Sequence, residues 1–185
     1  MNTIELFEFP DFKGDSVSLD GDNADLTTVG FLKKAQSLRV HGDPWVVFTD
    51  TYYWGIFLCF SEGDYSSIPS TAEKISSVRM VKGGLYKPKI TLYKDIYFNG
   101  ASVDLEKAAT SLKSYGFDNV ASSAKVESGA WILYSEDYFK VDKMVVVAGE
   151  YLPNFYCRGW NDRASSLKPI SPKSVFGASE AEACE

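Results

Sequence analysis

The stretch Ile90-Thr91-Leu92-Tyr93-Lys94-Asp95-Ile96-Tyr97-Phe98-Asn99-Gly100 decides the fold. It opens on a short run with β-branched and aromatic residues and a period near two, which reads as a strand. An aromatic, four residues, a second aromatic, one residue and a glycine follow. That spacing reads as a folded hairpin in which the two aromatics pack together. The glycine allows a backbone geometry closed to other residues. The pattern occurs four times: Phe7/Phe12/Gly14, Phe48/Tyr53/Gly55, Tyr93/Phe98/Gly100, and Tyr134/Phe139 with Val141 in the glycine slot. Each copy follows its own strand-like run, at Ile4–Phe7, Val46–Phe48, Ile90–Tyr93 and Ile132–Tyr134. Val141 predicts a distorted turn, or a relaxed glycine role, in the fourth copy.

Working outward, the chain matches itself at an offset of 86 residues, which marks a tandem duplication. Ile4 falls on Ile90, Gly30-Phe31 on Gly116-Phe117, Trp45 on Trp131, and Gly63-Asp64-Tyr65 on Gly149-Glu150-Tyr151. The seam, Lys82-Gly83-Gly84-Leu85-Tyr86-Lys87-Pro88-Lys89, has the glycine and proline chemistry of a linker. The predicted organisation is a domain over residues 1–82, a linker over 83–89, a second domain over 90–170 and a flexible tail over 171–185.

A further strand closes each repeat: Ser37–Val40, Ser77–Met80, Ser123–Val126 and Ser166–Ile170. Four strands per repeat and two repeats per domain predict eight short strands. The fold class is therefore all-β: two tandem domains, each a two-sheet antiparallel sandwich of two Greek-key motifs. Short helical turns are expected around Glu106–Lys113.

Composition narrows the function. The 185 residues hold 19 basic and 25 acidic side chains and one histidine, His41. A net charge of −6 argues against a nucleic-acid partner, which needs a basic footprint. One histidine leaves little for histidine-rich metal sites or for acid–base catalysis near neutral pH. No nucleophile–base pair stands out, so no enzyme is expected. The three cysteines, Cys59, Cys157 and Cys184, do not read as a disulfide framework. Cys59 and Cys157 read as buried small apolar residues, and Cys184 as an exposed thiol. Without a signal core or a long apolar run, the expected location is cytoplasmic.

The fourfold hairpin and the Ser-Ser closing strand resemble the βγ-crystallins, from Thr3 to Ile170. Microbial and non-lens members carry a calcium loop, Asp/Asn-Asp/Asn-x-x-Ser/Thr-Ser, before the closing strand. The third repeat here has Asp118-Asn119-Val120-Ala121-Ser122-Ser123 and the fourth Asn161-Asp162-Arg163-Ala164-Ser165-Ser166. Such a loop suits calcium, a hard cation that takes 6–8 oxygen ligands and needs neither imidazole nor thiolate. The resemblance implies two ions bound in a crossed arrangement. One would take Ser122 Oγ, the Val120 and Lys94 carbonyls, and the Asp162 side chain. The other would take Ser165 Oγ, the Arg163 and Ser135 carbonyls, and the Asn119 side chain. An amide in place of a carboxylate predicts that the second site is the weaker.

The first domain departs from the pattern. Its loops read Leu32-Lys33-Lys34-Ala35-Gln36-Ser37 and Ala72-Glu73-Lys74-Ile75-Ser76-Ser77. Lys33 places an ammonium where a ligand belongs, which repels a divalent cation. The first domain is thus expected to keep the fold and to have lost its sites. Asx and Ser residues also form turns for their own hydrogen bonds, so one such loop alone would mean little. Two in equivalent places of one domain mean more. Three readings follow from the resemblance: a calcium-binding protein stabilised by its ions, a structural protein with vestigial loops, and an interaction module. An epidermal, amphibian branch of the family joins a half of this kind to an aerolysin-like half, which implies a protein partner or self-association. Membrane contact is not supported by this chain alone.

Overall fold

A computed structural model describes residues 1–68 and 74–172. Glu73, Cys184 and the tail beyond residue 172 lie outside the described residues. The chain divides into two compact units, Met1–Val81 and Lys82–Ile170. Both are all-β, with only short 3-10 turns besides strands.

The first unit holds β1 (Thr3–Phe9), β2 (Lys13–Leu19), β3 (Ser37–His41), β4 (Trp45–Phe48), β5 (Phe57–Phe60), β6 (Gly63–Tyr65) and β7 (Ser77–Met80). One sheet has the order β2-β1-β3-β6 and the other β5-β4-β7. The second unit repeats this with β8 (Lys89–Tyr93), β9 (Ser102–Leu105), β10 (Ser123–Ser128), β11 (Ala130–Glu136), β12 (Lys140–Val147), β13 (Tyr151–Leu152) and β14 (Ser166–Pro169). Its sheets run β13-β10-β8-β9 and β12-β11-β14. The pairings are antiparallel throughout. The later repeat of each unit lends one strand, β6 or β13, to the sheet of the earlier one.

The described residues hold seven strands per unit rather than the eight expected. The missing strand in each is a single bridge, Asn23 to Val78 and Ala109 to Leu167. A polar Asp22-Asn23-Ala24-Asp25 stretch has too little apolar alternation to extend the first ladder. Each unit has its own core. Leu6, Leu38, Trp45, Phe48 and Phe60 fill the first, and Leu92, Leu112, Trp131, Leu133 and Phe155 the second.

All four hairpins form the aromatic pair that the spacing predicts, with ring centroids 5.5, 5.6, 5.7 and 5.6 Å apart in chain order. The corner is tighter than one glycine would require. Two residues before the glycine are also left-handed: Asp11 and Phe12, Tyr52 and Tyr53, Tyr97 and Phe98, Tyr138 and Phe139. The fourth corner is not distorted. Val141 adopts φ +74°, beside +80°, +86° and +76° at Gly14, Gly55 and Gly100. Its side chain stands 72% exposed, so the space exists and the strain lies in φ.

The offset of 86 does not hold to the end of the repeat: it slips by one residue near Tyr151 and has grown to 89 at the closing strand, where Ser77 and Ser166 occupy the same place. Asp11 N–H donates to the Ser66 carbonyl, whereas Tyr97 N–H donates to that of Pro153, one residue further on. Likewise Leu38 pairs with Tyr65, but Ala124 with Leu152. Leu152 therefore holds in the second unit the place of Tyr65 in the first, and Tyr151 does not. A slip of one residue turns a side chain to the other face. Accordingly Leu152 is buried and Tyr151 exposed. Helical turns expected over Glu106–Lys113 lie instead at Leu112–Tyr115, with counterparts at Leu26–Val29 and Phe155–Arg158. Cys59 is buried as expected, but Cys157 is exposed. In its turn only Phe155 reaches the core.

Candidate metal centre

The two Ser-Ser loops of the second unit are built by the same few contacts, repeated about a pseudo-twofold relation. Ser122 N–H donates to the Tyr93 carbonyl at 2.8 Å, and Ser165 N–H to that of Tyr134 at 2.9 Å. Each loop is thereby fixed beside the residue that follows the first hairpin aromatic, Lys94 or Ser135. The loops then cross. Asn119 N–H donates to the Ala164 carbonyl at 3.0 Å, and Asp162 N–H to that of Ala121 at 3.1 Å.

Side chains cross in the same sense. Ser122 Oγ donates to Asp162 Oδ1 at 3.5 Å, and Ser165 Oγ to Asn119 Oδ1 at 2.8 Å. The first distance is at the long limit of a hydrogen bond, the second well inside it. Ser122 and Ser165 are buried, whereas Asn119 and Asp162 are exposed. The Lys94 and Ser135 carbonyls lie on the adjoining hairpins, and Val120 and Arg163 sit within the loop turns. Asp118 and Asn161 stand outside the crossing. Asp118 Oδ2 accepts from Asn119 Nδ2 at 3.4 Å, and Asn161 Nδ2 donates to Asp162 Oδ2 at 3.1 Å. Asp118 Oδ1 is buried without a hydrogen-bond partner. A carboxylate oxygen left so is costly unless a donor or cation meets it.

The second loop position is left-handed, with φ +54° at Asn119 and +57° at Asp162. Asn and Asp tolerate that conformation best among non-glycine residues. Backbone strain alone thus favours Asx there. Lys33 in the first unit takes the same conformation, φ +56°, with its N–H bonded to the Ile75 carbonyl. The loop geometry survives there without the oxygen ligands. Ser76 Oγ turns back to the Lys74 carbonyl at 3.0 Å rather than crossing.

The serine that opens each closing strand, preceded by a second serine in three of the four repeats, has a separate task, which the sequence reading missed. Ser37, Ser77, Ser123 and Ser166 are fully buried. Each hydroxyl accepts the N–H of the second hairpin aromatic, at 3.0–3.1 Å. Each also donates to a carbonyl at the start of the corner, of Phe9, Asp50, Asp95 or Glu136, at 2.6–2.7 Å. Two positions further on, a basic residue covers the aromatic pair. Arg39 lies 4.1 Å from the Phe12 ring centroid, Arg79 3.7 Å from that of Tyr53, Lys125 4.7 Å from that of Phe98, and Lys168 5.0 Å from that of Phe139. The Ser-x-Arg/Lys spacing, present in all four repeats, is the signal that could have found it.

Among the described residues no group of three or more His, Cys, Asp and Glu side chains converges. A centre here would have to rest on hydroxyl, amide and carbonyl oxygens with single carboxylates. No helix of the described residues is long and apolar enough to cross a membrane.

The family model described as Beta/Gamma crystallin matches residues 3–81 and 89–170. The chain is 33% identical over 170 residues to the epidermal differentiation-specific protein of Cynops pyrrhogaster, covering 92% of this chain and 50% of that protein. It is 30% identical over 180 residues to human beta/gamma crystallin domain-containing protein 2, covering 95% of this chain and 11% of that protein. The chain thus spans half or less of the length of these two relatives. Among solved structures it is similar to Geodin, a beta-gamma crystallin from Geodia cydonium. That likeness has 21% identity, a TM-score of 0.39, and covers 91% of this chain and 98% of that one.

Proposed function

We propose that this chain, which belongs to the βγ-crystallin family, binds two calcium ions in its second domain and is stabilised by them. One ion is held by Ser122 Oγ, Asp162 and the Val120 and Lys94 carbonyls. The other is held by Ser165 Oγ, Asn119 and the Arg163 and Ser135 carbonyls. The observation that carries the reading is the crossing of the loops, which brings each serine hydroxyl to the Asx side chain of the other loop. Asp118, half-exposed with its Oδ1 buried and without a hydrogen-bond partner, adds a carboxylate to the same loops. Calcium supplies charge that gathers oxygens already close together; the residues supply those oxygens on a backbone fixed by strand and hairpin. The reading is of a non-enzymatic binding protein. A protein partner, or self-association, belongs to the same proposal as a consequence to be tested.

Calcium calorimetry on the full chain tests this. Wild type should show two unequal sites, the tighter using Asp162, because a carboxylate holds a divalent cation better than an amide. Asp162→Asn keeps a residue suited to left-handed backbone, and it should bring the tighter site down to the weaker. Asn119→Asp should bring the weaker one up. Absence of binding at millimolar calcium would overturn the proposal in favour of a structural protein with vestigial loops.

A further inference from the structure

The second proposed site draws its carbonyls from two segments, Ser135 at the hairpin and Arg163 in the closing loop. Asp142, in β12, is bonded to both. Its N–H donates to Ser135 Oγ at 3.0 Å, and its carboxylate pairs with the Arg163 guanidinium. The guanidinium also donates to the Gly159 carbonyl at 3.3 Å and lies 5.1 Å from the Trp160 ring centroid. The first site has no such device. Its counterparts are Lys94, Ala101 and Val120, joined in part by a Lys94 N–H bond to the Ala101 carbonyl.

An ion held by the Arg163 carbonyl would lie on the same residue as a guanidinium, whose charge repels a cation within a Debye length of about 8–10 Å. The partner ligand, Asn119, carries no charge to offset it. The same hairpin also carries Glu136, Asp137, Lys140 and Lys143, and Asp137 pairs with Lys113 of the Leu112–Tyr115 turn at 3.5 Å. Asp142 is the carboxylate that pairs with the Arg163 guanidinium. The Arg163 and Asp142 side chains are 41% and 62% exposed, and an ion pair so exposed contributes little to folding. Its worth lies in the charge it removes from beside a cation.

We propose that Asp142 is a charge-compensating and positioning residue of the second calcium site. The inference rests on the calcium reading given above. The two members of the pair then have opposite effects on binding. Asp142→Ala exposes the site to an unneutralised cation and should weaken it by roughly threefold to tenfold, an effect that shrinks at high salt. Arg163→Ala keeps the backbone carbonyl and frees the Asp142 carboxylate, so the site should tighten. The double variant should return close to wild type.

Calcium calorimetry on full chains of wild type, Asp142→Ala, Arg163→Ala and the double variant reads these signs. The Asn119→Asp variant assigns which binding step belongs to the second site. The step using Asp162 should keep its affinity in Asp142→Ala. Two ions bound by wild type with an unchanged second step in Asp142→Ala would overturn this inference and leave the calcium reading standing. Weakening of similar size in both single variants would also overturn it, since a merely structural tie behaves so. No calcium bound by wild type would overturn both.

Discussion

Val141 occupies a backbone conformation that its three counterparts leave to glycine. A β-branched residue in left-handed backbone costs about 1–2 kcal/mol, partly offset by the greater unfolded-state freedom of glycine. Val141→Gly should therefore raise the stability of the second domain by about 1 kcal/mol, as chemical denaturation would show. Little burial is lost, because the side chain is 72% exposed. The left-handed φ at Asn119 and Asp162 shows the same constraint in a place where Asx is a good choice on backbone grounds alone. This is why the Asx pair could be read from sequence but its purpose could not. Position 33 carries the same φ with a lysine, so the turn does not depend on an Asx residue.

At the scale of the element, the Ser-Ser doublet divides its labour between loop and strand. Ser122 faces the other loop, whereas Ser123 pins the hairpin corner through the Phe98 N–H and the Asp95 carbonyl. Ser123→Ala would leave a buried donor and acceptor unpaired, at about 1–3 kcal/mol. That loss should appear in denaturation curves measured with chelator present. Ser122→Ala should show the reverse: little change in chelator and a lost response to calcium. The division also accounts for the first domain, where the pinning serine is kept at Ser37 and Ser77 although Lys33 and Gln36 stand where the second domain has Asn119 and Ser122. Strand positions were legible because alternation and aromatic spacing are local. The 3-10 corners and the cation–π cover were not, since they depend on which strand lies beside the hairpin. The slip at Tyr151 was hidden for a like reason. Two aromatics aligned by an unbroken offset look equivalent until the pairing of β13 shows which residue faces inward.

At the scale of the whole molecule, the two units share a fold and differ in chemistry. Residues 1–86 hold 7 basic and 12 acidic side chains, a net of −5; residues 87–185 hold 12 and 13, a net of −1. The two Asx–Ser loops lie in the less acidic half, so bulk acidity does not mark where they are. Ligand binding stabilises only the state that binds, by about 2.7 kcal/mol at a hundredfold excess over Kd. Calcium should therefore raise the melting temperature of the second domain and leave that of the first unchanged. Differential scanning calorimetry of the full chain, with calcium and with chelator, checks both parts at once. A rise shared by both domains would contradict the assignment of the ions to the second.

The amino-acid sequence by itself determined the duplication, the strands, the four aromatic hairpins and the Asx and serine oxygens of the closing loops. These follow from short-range periodicity and residue chemistry. Only the tertiary structure decided that each unit keeps seven strands and a bridge among the described residues, that Leu152 and not Tyr151 matches Tyr65, and that Asp142 is tied to Ser135 and Arg163. Those facts depend on residues far apart in the chain meeting across a sheet, and no local spacing records where a strand's partner lies.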